Sequence, residues 1–149
     1  MNWSKLLADK RLHHHKPTSG EITSLKKLIE RDLEDATISG LSADRRFAIA
    51  YNAVLQLSKM AIVCAGYRVS TSIAGHHITT FEAVRLALGP SIKGLADYFE
   101  TCRRMRNDID YDGIEIASEM QAHELLDQAM EYKKLVEEWI QKNHQHMLD

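Results

Sequence analysis

The sequence predicts an all-α protein, an antiparallel helical bundle of about four principal helices with short accessory helices. Three observations predict it. Only 7 Gly and 2 Pro occur among 149 residues, which favours long regular elements. Apolar residues recur at helical spacing, and no segment has the alternation of a strand. Hydrophobic residues make up 44% of the chain, which is ample for a packed core. The length suits one domain, residues 1–149, with its core at roughly 18–141.

Two helices are predicted in the first 40 residues. A short one covers Trp3 to Leu12 and is expected to pack outside the bundle. The next follows Pro17, where Thr18 and Glu21 have the spacing of a capping box, a reciprocal pair of bonds between side chain and backbone. Its apolar positions recur at helical spacing until it ends near Ser39-Gly40.

The third helix is predicted to be the centre of the bundle. It runs from Ser42 to about Gly66, and apolar residues cover most of its circumference. Such a helix is surrounded by other elements. One narrow polar strip remains, formed by Asn52, Gln56 and Lys59. The strip either faces solvent or lines a site, and the pattern leaves both interpretations open.

A loop and a short fourth helix are predicted next. Residues 66–77, which include Arg68, lack periodicity and are expected to form the loop. Thr79 and Glu82 repeat the capping-box spacing, so the fourth helix is expected to start there and to end at Leu88.

Two further helices complete the prediction. The fifth runs from Ser91 to about Asp110 and is stopped by Asp112-Gly113. The last runs from Glu115 to about His144, with Ser118 and Gln121 at capping-box spacing.

Composition and charge exclude several classes of protein. The net charge of −2 rules out a strongly basic protein that coats nucleic acid, although it leaves room for a local basic site. The least polar stretch, Met60 to Tyr67, is about one third of the length of a membrane span, so a cytoplasmic protein without membrane association is expected. Cys64 and Cys102 lack metal-type spacing and are expected to be buried and reduced. No metal and no cofactor is predicted.

Arginines cluster near the end of the fifth helix. Arg106 falls in the middle of its core-facing line, with Arg103 and Asp110 near the edge. Arg104 and Asp108 point away and are expected to form an exposed ion pair. A guanidinium on an apolar stripe needs a partner. Arg106 therefore binds phosphate together with Arg103, or it pairs with Asp110, or it bridges two subunits.

The run Arg103-Arg104-Met105-Arg106-Asn107-Asp108-Ile109-Asp110-Tyr111 resembles the motif of the HEPN-domain superfamily. Members are small helical bundles, many of which carry an Arg, often a polar residue after it, and a His after four to six variable residues. The helix order over roughly 18–141 extends the resemblance. Arg106 matches the motif Arg and Asn107 the polar residue, but Tyr111 stands where the His would be.

The departure at Tyr111 bears on catalysis. A tyrosine, with an ordinary pKa near 10, is a poor general base at neutral pH, although its hydroxyl can donate to a phosphate. On an unbroken helix Arg106 and Tyr111 lie roughly 140° apart, so they converge only if the helix ends between them. Tyr111 is otherwise an aromatic core residue at a helix end. His76 and His77 are candidates to supply the imidazole from elsewhere.

The resemblance implies a homodimer whose two motifs meet at the interface. In active members it implies metal-independent RNA cleavage, in which the 2′-hydroxyl of the RNA attacks the adjacent phosphate. Many members are toxins paired with a small nucleotidyltransferase antitoxin, and others bind nucleotides or partner proteins without catalysis. A binding domain for RNA, a nucleotide or a partner is therefore expected, with a ribonuclease and a dimeric helical scaffold as alternatives. The candidate catalytic residues are Arg106 and Tyr111, and the candidate binding residues are Arg103, Asn107, Asp110, Asn52, Arg68, His76 and His77.

Overall fold

The computed structural model describes residues 2–112 and 115–148, apart from the side chain of Asp112. Six α-helices and two short strands lie within these ranges. Their bounds are α1 Trp3–Ala8, β1 Leu12–His14, α2 Ser19–Asp35, α3 Ala43–Cys64, β2 Tyr67–Val69, α4 His76–Leu88, α5 Lys93–Asp112 and α6 Glu119–Asn143. Single 3-10 turns cover Pro90–Ile92 and Gln145–Met147. The predicted all-α helical bundle is confirmed.

Helix α3 is the centre of the bundle, as its apolar circumference predicts. It packs against α2, α4, α5 and α6, and residues on several of its sides are fully buried, among them Phe47, Val54 and Leu57. Within the described residues it is also the one helix that is long and apolar enough to cross a membrane by length and composition. Of its most apolar 18-residue window, 67% is buried in the bundle, and a core helix passes the same test.

The predicted helix starts at Thr18 and Ser42 are confirmed by their caps. Thr18 Oγ1 accepts from the backbone N–H of Glu21 at 3.2 Å, and Ser42 Oγ accepts from the third residue after it at 3.1 Å. Ser118 and Gln121 form the full reciprocal box at 3.0 and 2.9 Å. Because Ser118 is the cap, α6 begins at Glu119, and its predicted start at Glu115 is wrong. The Glu21 carboxylate bonds instead to His15 Nε2 at 2.9 Å, so the predicted box at Thr18 is made by one of its two bonds.

The predicted start of the fourth helix is wrong. Helix α4 begins at His76, three residues before Thr79, because Gly75 takes the left-handed conformation (φ +80°) and turns the chain into the helix without a side-chain cap. Thr79 Oγ1 accepts a hydrogen bond from Arg11 Nε at 2.9 Å, and Glu82 pairs with Arg11 Nη1 at 3.1 Å. Both side chains of the apparent capping box are therefore occupied by Arg11.

The absence of strands is also a wrong prediction. Strands β1 and β2 pair antiparallel, with Leu12 opposite Val69 and His13 opposite Arg68. Each strand has three residues, which is too short to show a period of two. Helix α1 accordingly ends at Ala8 rather than at Leu12. Leu6 and Leu12 are buried in the main core, so the core begins before residue 18.

The remaining helix ends lie close to their predicted positions. Helix α2 ends at Asp35, several residues before Ser39-Gly40, and α6 ends at Asn143. Helix α5 continues to Asp112, and Gly113 of its predicted stop lies outside the described residues. Cys64 and Cys102 are both buried and unpaired, and burial raises the pKa of each thiol to about 11.

Candidate functional site

A cleft lies between the first turn of α4 and the exposed side of α5, and we call it the α4–α5 cleft. Its volume is about 410 Å³, within the range of small-ligand sites. Helix α5 contributes every fourth residue, and this spacing places side chains on one face. The lining residues are Gly75, His76, His77, Ile78, Arg103, Asn107 and Tyr111. Five candidates drawn from distant parts of the sequence therefore meet here.

Arg103 supplies the permanent positive charge of the α4–α5 cleft. Its side chain is 18% exposed, and its Nε donates to Glu100 Oε2 at 3.3 Å. This bond orients the guanidinium through one of its five N–H donors. No carboxylate is among the residues that line the cleft, and Glu100, which pairs with Arg103 from the preceding turn of α5, is not one of them.

His77 is held in a defined state at the edge of the core. Burial lowers its pKa, and the positive charges of His76, Arg103 and Arg106 lower the pKa further. The ring is therefore neutral at pH 7. Tyr51 Oη lies 3.3 Å from His77 Nδ1, and burial raises the pKa of Tyr51, so its hydroxyl keeps its proton. When that O–H donates to Nδ1, the ring proton resides on Nε2, and when Nδ1–H donates to the Tyr51 oxygen, Nε2 is the free base.

A second cavity adjoins the first, and we call it the α3–β2 cavity. It measures about 380 Å³ and lies between α3, β2 and α4. Arg68, a predicted binding residue, lines it together with Lys59 of the polar strip on α3. The further lining residues are Leu55, Ile62, Val63, Val69, Thr71, His76, His77 and Thr80. His76 and His77 line both spaces and form the wall between them.

Three predicted site residues lie outside both cavities. Arg106 forms an ion pair with Asp110 one turn along α5, so the alternative of an intrachain pair is the one present. Arg106 is 29% exposed rather than buried in the core. The third residue is Asn52, whose Nδ2 donates to the buried Asp32 at 2.8 Å, beside a second bond to Asp32 from Gln56 at 3.1 Å. Two of the three residues of the polar strip, Asn52 and Gln56, therefore donate hydrogen bonds to a carboxylate of α2.

Three local expectations on α5 are corrected. Tyr111 is 86% exposed, so it is not an aromatic core residue. Because α5 is continuous to Asp112, Arg106 and Tyr111 do not converge, and only Tyr111 lines the cleft. Within the described residues, Arg104 and Asp108 are exposed and make no ion pair, since exposed pairs gain little from fixing two long side chains.

Two contributors were not identified from the sequence. Tyr51 belongs to an apolar stripe of α3, and nothing in the pattern indicates a bond to an imidazole 26 positions away. Gly75 carries one detectable signal, a glycine directly before two polar residues, which is compatible with a turn into a helix.

Among the described residues no group of three or more His, Cys, Asp or Glu side chains is placed to hold a metal ion. Comparison with protein-family models, with curated proteins and with solved structures finds no match to this chain.

Proposed function

We propose that this protein is a HEPN-like binding domain whose α4–α5 cleft takes a phosphate group of RNA or of a nucleotide. The observation that carries the proposal is the meeting of Arg103, His76 and His77 around one cleft that no carboxylate lines. A guanidinium offers a phosphate two parallel N–H donors, and Asn107 and Tyr111 add neutral donors beside it. The first-turn N–H groups of α4 lack acceptors within the helix, and their partial positive charge also favours an anion.

Binding is tested with a fluorescein-labelled single-stranded RNA of 12 nucleotides, followed by anisotropy in EDTA. Arg103→Gln is expected to weaken binding about tenfold or more, because a hydrogen bond to a charged group contributes about 1.5–3 kcal/mol. It also lowers the salt slope by about 0.7, the contribution of one phosphate contact on a single strand. Arg104→Gln is the matched control, since Arg104 is exposed, adjacent and outside the cleft. Equal affinities for both variants and the parent would reject the site.

A metal-independent ribonuclease is the second candidate, and the imidazoles in the cleft favour it. They stand beside Arg103, whereas Tyr111 alone is a poor base. In this reaction His77 takes the proton of the 2′-hydroxyl on Nε2, which requires the tautomer whose Nδ1–H donates to Tyr51 Oη. The O2′–P bond forms, and the P–O5′ bond breaks as the leaving oxygen takes a proton from water. Arg103 stabilises the charge on phosphorus oxygens.

The same RNA, incubated in EDTA at high protein concentration and resolved on a denaturing gel, tests cleavage. A ribonuclease yields fragments with 2′,3′-cyclic phosphate ends, and both His77→Ala and Arg103→Ala lose them. Intact RNA that still binds supports the binding domain. Cleavage that persists in both variants points to a contaminant and rejects the catalytic assignment.

We also propose a homodimer and a nucleotidyltransferase-type antitoxin partner, and both rest on the resemblance of residues 103–111. Light scattering after size-exclusion chromatography measures the dimer directly. A monomer at the concentrations used for RNA binding would reject it. Co-expression with a candidate nucleotidyltransferase, followed by co-purification, tests the partner.

A further inference from the structure

The α3–β2 cavity and the α4–α5 cleft share the wall made by His76 and His77. A ligand that fills one therefore contacts the same two rings as a ligand that fills the other. The ring centroids lie 4.6 Å apart in an edge-on arrangement. We call the two adjoining spaces together the recess; Arg103 lines one part of it, and Lys59 and Arg68 line the other.

The floor of the α3–β2 cavity is apolar. Ile62 and Val63 are almost fully buried beneath it, and Leu55 and Val69 are half-buried at its sides. Such a surface suits a flat or apolar body rather than a hydrated ion. Thr80 Oγ1 is already a donor to the backbone carbonyl of its own helix at 2.8 Å, which reduces the polarity of the wall.

The rim of the α3–β2 cavity is cationic. Lys59 and Arg68 are exposed, come from α3 and β2, and form no ion pair within the described part of the chain. No Asp or Glu lines the cavity. An apolar floor beneath two uncompensated cations fits a ligand that has an apolar body and an anionic group.

We propose, building on the phosphate site above, that the α3–β2 cavity binds the nucleoside next to that phosphate, with Lys59 and Arg68 contacting a second phosphate. The ligand class is thus a nucleoside that bears phosphate groups at both ends. An internal residue of a single strand and a free nucleoside 3′,5′-bisphosphate both have this chemistry. The base lies on the apolar floor, and the two phosphates lie at the Arg103 end and at the Lys59–Arg68 end.

Calorimetric titration compares nucleoside 3′,5′-bisphosphates with the corresponding 5′- and 3′-monophosphates, in adenosine and uridine forms. The bisphosphate is expected to bind about tenfold tighter or more than either monophosphate, because it gains charged hydrogen bonds at the second end. In the Lys59→Gln/Arg68→Gln double variant this advantage falls to about threefold or less. Lys27→Gln/Arg45→Gln removes two exposed charges elsewhere and is expected to keep the full advantage.

The outcomes separate this inference from the proposed function. Monophosphate binding that depends on Arg103, without any gain for the bisphosphate, overturns the nucleoside subsite and leaves the phosphate site standing. A bisphosphate gain that is insensitive to Lys59 and Arg68 also overturns it. Loss of all binding dependence on Arg103 overturns the proposed function. If the double variant binds the labelled 12-nucleotide RNA more weakly than the parent does, the ligand is a single strand. If only its affinity for the bisphosphate falls, the ligand is the free nucleotide.

Discussion

Replacing Asp44 with alanine tests how the start of α6 is held against the bundle. Asp44 lies in the first turn of α3, and its Oδ1 accepts from the backbone N–H of Ile116 at 3.1 Å and of Ala117 at 2.7 Å. Each hydrogen bond to a charged group contributes about 1.5–3 kcal/mol, and the lower figure applies because the side chain is half-buried. Two bonds give a loss of about 3 kcal/mol. The loss of the negative charge at the N-terminus of α3 adds about 0.3 kcal/mol or more to this loss.

Urea unfolding followed by circular dichroism measures this loss, and thermal unfolding should show Tm lower by roughly 6–12 °C for a chain of this size. Asp44→Asn keeps one acceptor oxygen and should lose about half as much. Asp127→Ala is the control, because Asp127 is exposed on α6 and makes no hydrogen bond within the described chain; it should stay within about 0.5 kcal/mol of the parent. If Asp44→Ala matches Asp127→Ala, the carboxylate does not anchor this segment and the reasoning is refuted.

Three further predictions concern the core, the ion pair between Arg11 and Glu82 of α4, and the cleft. Tyr132→Phe should cost about 1–2 kcal/mol in urea unfolding, because the hydroxyl bonds Ser58 Oγ at 2.8 Å in a fully buried position. Arg11→Leu should lower the free energy of unfolding by about 1–2 kcal/mol, because it leaves the half-buried Glu82 unpaired. A double-mutant cycle with Glu82→Leu should show coupling, and strictly additive effects would contradict the ion pair between Arg11 and Glu82. As pH falls below about 6.5, the unfolded state protonates His77 before the native state does, since the native pKa is lowered, so stability should fall there and His77→Gln should flatten the decline.

Local sequence patterns predict the helices because their determinants are local. Ser42 and Ser118 cap helices by accepting from backbone N–H groups three residues away. The apolar residues around α3 predict that this helix is buried, and it is. The same reasoning fails at α4, where Thr79 and Glu82 have the right spacing for a box. Thr79 instead accepts a hydrogen bond from Arg11, which is 68 positions away, and Glu82 forms an ion pair with the same guanidinium. A partner so distant in sequence leaves no trace in the local pattern.

The candidate site was predictable in its residue types and not in its arrangement. Arg103, Asn107 and Tyr111 share a helical face, and that much follows from spacing alone. The addition of His76 and His77 depends on where α4 begins, which the left-handed Gly75 decides. Arg106 matches the motif position, yet its charge is paired with Asp110 rather than directed into the cleft.

The net charge of −2 and the few cations that line the two cavities limit the salt dependence that the proposed RNA binding would have. A protein that neutralises many phosphates shows a salt slope close to −0.9 for each one on duplex, and about −0.7 on single strands. Here few positive groups line the recess: Arg103 lines the α4–α5 cleft, and Lys59 and Arg68 line the α3–β2 cavity. The proposed contacts involve two phosphates, so the slope on single-stranded RNA should be about −1.4. A slope several times steeper would mean that the strand follows a surface outside both cavities.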